Sequence, residues 1–63
     1  MPVITVEGPQ LSRDKKRQLV QKLTKAASEV IQLPEDVFTV LIKENDRDNV
    51  GVGGSLLSDK DAK

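Results

Sequence analysis

The chain has 63 residues, with ten basic and ten acidic side chains, one Phe, and no Cys, His, Trp or Tyr. That rules out disulfides, cysteine zinc sites and Ser-His-Asp or Cys-His catalysis, and leaves so small a scaffold with oligomerisation as its staple. Zero net charge and a lone aromatic argue against a nucleic-acid binder, although residues 1–25 carry net +4 (six basic, two acidic) and residues 26–63 net −4 (four basic, eight acidic).

The segment Val3-Ile4-Thr5-Val6 is rich in β-branched residues and predicts a strand starting just after Pro2, closed by the Gly8-Pro9 turn. Ser12 stands where a helix N-cap belongs, with Asp14 in the first turn. Apolar residues then fall at positions 19, 20, 23, 26, 27, 30 and 31, one helical stripe, and predict a helix over 13–32 that Pro34 cannot extend.

The run Val37-Phe38-Thr39-Val40-Leu41-Ile42 predicts a second strand, apolar enough to be buried on both faces. A polar loop, 45–49, leads to Val50-Gly51-Val52-Gly53-Gly54, which reads as a short glycine hairpin. Ser55 to Lys63 is expected to form a turn and a fraying charged tail. No apolar run is long enough to span a membrane, and the N-terminus lacks the basic and apolar regions of a signal peptide, so a cytoplasmic protein is expected.

Strand, helix, strand is a βαβ unit, so the fold class is α/β: two parallel strands with a right-handed crossover, plus a C-terminal hairpin, in a single domain over 1–63. One helix covers one face of a two-stranded sheet. Phe38, Val40 and Ile42 point one way and Val37 and Leu41 the other, which leaves a bare apolar face. A homo-oligomer is the expected remedy.

With the usual catalytic side chains missing, the chain terminus becomes the candidate base. A Met followed by Pro is normally processed, and loss of Met1 frees the secondary amine of Pro2. An α-amino group titrates near ~8, and apolar surroundings lower that value toward neutrality, where general acid–base catalysis works best. If Met1 stays attached, the Pro2 nitrogen is an amide without useful basicity.

These residues carry a resemblance. Pro2 heading a strand, Lys16 and Leu19 on the helix, Pro34, Val40-Leu41-Ile42 ending at Glu44, and Gly51-Val52-Gly53-Gly54 together resemble the 4-oxalocrotonate tautomerase family. The Gly8-Pro9 turn is similar to its DmpI-like branch. The resemblance covers essentially the whole chain. It implies a hexamer built as a trimer of dimers, with the amino-terminal proline as general base. That base would move a proton between an enol oxygen and a carbon of a 2-hydroxydienoate or 2-oxo acid, with no metal or organic cofactor. It also implies arginines for the substrate carboxylate and an aromatic pocket residue. Here the family's strand-two arginine falls at Thr39, its loop arginine at about Gln10 or Leu11, and its pocket aromatic at Val50.

An anionic enol or 2-oxo acid still needs a cation. Arg13, within a basic cluster at the start of the helix, is the first candidate and Arg47 the second; a solvated basic face is the plainer reading. The glycine run lacks the Lys-Ser/Thr of a phosphate loop, and Asp46 and Asp48 lack the Gly and distal Glu of a calcium loop. The expected function is a cofactor-independent tautomerase using Pro2. Its rivals are a Pro2-dependent hydration with Glu7 or Glu44 orienting water, and a non-catalytic assembly. A ribbon-helix-helix DNA binder would want a second helix where Val37–Ile42 stands.

Overall fold

A computed structural model describes residues 1–61, the side chain of Asp61 excepted. Strand β1 (Val3–Gly8) runs into helix α1 (Arg13–Ile31), and the chain returns along strand β2 (Thr39–Glu44). The strands pair in parallel, from Val3 opposite Thr39 to Gly8 opposite Glu44. The βαβ unit and the C-terminal hairpin thus form as the sequence predicts.

Helix α1 starts where Ser12 accepts a hydrogen bond from the Lys15 N–H at 3.2 Å. It ends at Gln32, which takes the left-handed conformation (φ 63°) and donates its N–H to the Ser28 carbonyl at 2.9 Å. The Ser28 hydroxyl donates to the Leu33 carbonyl at 2.5 Å, so the turn before Pro34 is closed from both sides.

The second strand is shorter at its start than its apolar run suggests. Residues Glu35–Val37 form a 3₁₀ turn after Pro34, and pairing begins at Thr39, whose N–H donates to the Pro2 carbonyl at 3.1 Å. Two-sided burial of this strand does not occur within the chain either. Phe38, Val40 and Ile42 are half-buried, whereas Val37 is 39% and Leu41 48% exposed. Among the described residues none is fully buried.

The apolar stripe of α1 is likewise only partly used. Leu19, Val20, Leu23 and Ala27 are half-buried, but Ala26, Val30 and Ile31 are exposed. The reason is length. Nineteen helical residues span about 29 Å, against about 20 Å for six residues of strand, so the last helical turn overshoots the sheet.

A second 3₁₀ turn, Arg47–Asn49, leads into strand β3 (Gly51–Val52), which pairs antiparallel with β4 (Ser55–Leu56). Gly53 (φ 61°) and Gly54 (φ 85°) form the two-residue turn, where both positions need positive φ. The expected turn and fraying tail from Ser55 are corrected: strand β4 is followed directly by helix α2 (Leu57–Asp61). The glycine turn reverses the chain early enough for Ser55 and Leu56 to complete a ladder. The rest of that tail, 62–63, lies outside the described residues. No described helix is long and apolar enough to cross a membrane.

Candidate active site

In a parallel βαβ unit both strands begin at one end of the sheet, and here that end holds Pro2. The bond from the Thr39 N–H fixes the Pro2 carbonyl, and both residues are half-buried. Beside them opens a cleft of about 440 Å³ lined by Met1, Asp36, Val37 and Thr39. Met1 is 93% exposed. Asp36 is a cleft residue the sequence reading did not single out, because a Pro-Glu-Asp segment reads only as a boundary until the 3₁₀ turn sets it in the cleft wall.

The other candidates lie elsewhere. Pro2 and Gly8 bracket the length of β1, roughly 20 Å at 3.3 Å per residue. Val50 lies beyond the far end, in a cleft of about 260 Å³ shared with Gly8, Pro9, Asn45, Arg47 and Leu57. Arg13 opens α1 at that same far end and lines a shallow groove with Lys16, Arg17, Val20 and Gln21. One protomer therefore joins Pro2 to Thr39, but not to Arg13 or Val50.

Two further side chains organise the far end. Glu44 Oε1 meets Lys16 Nζ at 2.9 Å, and Oε2 accepts the Leu11 N–H at 2.9 Å. The Leu11 hydrogen bond, followed by the bond from Lys16, holds the Glu44 carboxyl below the ordinary carboxylate range. Asn45 donates its N–H to the Gly8 carbonyl at 2.8 Å and its amide Nδ2 to Glu7 Oε1 at 3.3 Å. Lys16 and Glu44 both belong to the set that carried the resemblance, but nothing in their spacing announced that they pair.

Comparison with known proteins decides the family. The sequence profile of the Tautomerase family, described as tautomerase enzyme, matches residues 2–60. The chain belongs to the tautomerase family. A probable tautomerase of Bacillus cereus is 40% identical, the match covering 95% of this chain and 100% of the relative. A 2-hydroxymuconate tautomerase of Bacillus subtilis is 38% identical, over 94% and 97% of the two chains. Among solved structures, DmpI from Archaeoglobus fulgidus superposes with a TM-score of 0.85 at 44% identity, covering 90% of this tautomerase and 98% of DmpI. TomN, a 4-oxalocrotonate tautomerase homologue of the tomaymycin biosynthetic pathway, reaches a TM-score of 0.92 at 27% identity, over 98% and 97%. The DmpI-like branch suggested by the Gly8-Pro9 turn thus has a structural counterpart.

Proposed function

We propose that this tautomerase is a cofactor-independent isomerase whose general base is the Pro2 amine, freed by removal of Met1. The observation that carries the reading is the Thr39 N–H bond to the Pro2 carbonyl at 3.1 Å, which fixes Pro2 at the start of β1, next to the residue, Thr39, that lines the cleft with Val37 and Asp36. A secondary amine at an apolar wall loses hydration, which favours its neutral form, and a base poised near neutral pH is the useful one.

The substrate class is an enol, 2-hydroxydienoate or 2-oxo acid. The Pro2 nitrogen takes the proton of the enol hydroxyl, the π electrons shift along the conjugated chain, and the proton is returned to a carbon. Substrate and product are isomers, so no co-reactant is consumed. Thr39 offers a hydroxyl beside the base.

Val50 supplies an apolar wall from a neighbouring subunit, because its own Pro2 lies at the opposite end of the sheet. The carboxylate's cation comes from that end as well, from Arg13 or Arg47. The assembly is a homo-oligomer, a hexamer by the family resemblance, which buries the face that Leu41 leaves exposed. The hydration alternative has less to work with: both Glu44 oxygens are engaged by Lys16 and Leu11.

The test compares mature protein with Pro2→Ala on simple enols and 2-hydroxydienoates, with intact mass verifying loss of Met1. Removing a positioned base should slow turnover by about 10²–10⁴-fold. Equal rates would overturn the reading in favour of a non-catalytic assembly.

A further inference from the structure

The cleft at the start of the sheet, about 440 Å³, is lined by Met1, Asp36, Val37 and Thr39. Two of these touch Pro2 directly, Met1 through the peptide bond to its nitrogen and Thr39 through the 3.1 Å bond from its N–H to the Pro2 carbonyl. Thr39 is neutral and Val37 apolar, so Asp36 carries the one charged side chain among the described residues that line this cleft. Its carboxylate has no hydrogen-bond or ion-pair partner among the described residues.

Asp36 also sits on a fixed frame. It is the middle residue of the 3₁₀ turn Glu35–Val37, which starts from Pro34, held at φ −64° by its ring. The Val37 N–H donates to the Pro34 carbonyl at 3.2 Å and the Phe38 N–H to the Glu35 carbonyl at 3.1 Å. The next residue, Thr39, is the one bonded to Pro2, so the backbone of the turn is tied to the residue that carries the base. Glu35 adds a second acid to the turn, and the turn holds no basic residue.

The consequence concerns the charge of the substrate. Two like unit charges about 6 Å apart at a partly solvated site repel enough to change an affinity by about 5- to 50-fold. An acid with one carboxylate escapes that cost by turning its hydrocarbon end toward Asp36 and Val37. A dicarboxylate of the same length carries a charge at each end, and either orientation brings one of them to Asp36.

We propose that Asp36 is a specificity-determining residue of this site, which keeps a second carboxylate away from the base and so restricts the substrate to a monocarboxylate enol or 2-oxo acid. The inference rests on the Pro2 reading of the site and goes further by naming the charge of the substrate and the residue that sets it.

Binding is measured on assembled mature protein by calorimetric titration with sorbate (hexa-2,4-dienoate) and muconate (hexa-2,4-dienedioate). The two share one conjugated chain and differ in the second carboxylate. Neither carries an enol, so the readout is independent of turnover. Sorbate should bind about 5- to 50-fold more tightly than muconate. Asp36→Asn should remove that preference and Asp36→Glu should retain it. Raising the salt to about 0.5 M, which screens the repulsion, should narrow the preference of the parent chain and leave that of Asp36→Asn unmoved. In turnover, Asp36→Asn should raise kcat/KM for 2-hydroxymuconate relative to 2-hydroxypenta-2,4-dienoate by the same factor, mainly through KM. Sedimentation checks that each variant keeps its assembly.

Equal affinity of the parent chain for the two acids, tighter binding of muconate, no binding of sorbate, or a preference that survives in Asp36→Asn would each overturn the proposal. If Asp36→Asn loses its assembly, the salt dependence of the parent chain and the behaviour of Asp36→Glu decide the question. Failure of the base reading shows separately, as turnover unaffected by Pro2→Ala while the sorbate and muconate results stand.

Discussion

Glu44 shows how one side chain can hold two elements in register. Its carboxylate reaches back across the sheet end to the Leu11 amide and the Lys16 ammonium, so the loop before α1 is tied to the last residue of β2. The folded state holds this carboxyl below the ordinary carboxylate range. A depressed folded pKa means that the stabilisation is fully present above the unfolded value and is lost as pH falls through the folded one. Glu44→Gln should therefore be less stable than the parent chain in urea at neutral pH, and the gap should close at acid pH, below the folded value. A gap that stays constant across that range would remove the carboxylate charge from the explanation. Pro2 belongs to the same scale: in the proposed mechanism its use as a base depends on one covalent event, the loss of Met1, and on one hydrogen bond from Thr39.

Helix α1 is the element most strongly written into the chain, since cap, stripe and stop signal all agree. Its one local conflict is Gln32, a residue with a Cβ held at φ 63°. Gln32→Gly should relieve that strain and raise stability by about 0.5–1 kcal/mol, measured as a shift of the urea midpoint at unchanged slope. A loss of stability would show that the Gln32 side chain makes a contribution larger than the backbone strain. Strand β2 conflicts in another way. Its apolar run begins at Val37, but the Pro34 ring and the two acids behind it favour a 3₁₀ turn, and the sheet ladder starts only where β1 offers the Pro2 carbonyl.

The chain as a whole is a thin plate, 45 × 24 × 14 Å, with a Cα radius of gyration of 15.1 Å. A compact domain of this length would have a radius near 10.6 Å. Its accessible surface is 5048 Å², against about 4,000 Å² for a folded monomer of this mass. Val3 and Leu41 lie exposed on the sheet face away from α1. A plate of these proportions gains its core by association. Leu41→Asp would place an unpaired charge on that face, at a cost of about 3–5 kcal/mol if it is buried between subunits. The variant should sediment as smaller species and lose activity in parallel, because Pro2 and Val50 of one chain lie at opposite ends. A Leu41→Asp protein of parental size would locate the subunit contact elsewhere.

The sequence by itself determined the order of β1, α1 and β2, the parallel pairing, the ends of α1 and the family, because each of these follows from local signals: β-branched runs, a Ser cap, a proline stop, a glycine pair. It also determined the candidate base, by the absence of other groups that could serve. The three-dimensional arrangement decided what those signals could not carry. It paired Lys16 with Glu44, brought Asp36 into one cleft with Thr39, turned residues 55–61 into a strand and a helix, and set Arg47 in the cleft that holds Val50. It also separated Pro2 from Arg13 and Val50 by the length of the sheet. The physical reason is the same in every case: local propensity fixes what a segment becomes, while the distance between segments is set by how strands and helices of unequal length stack.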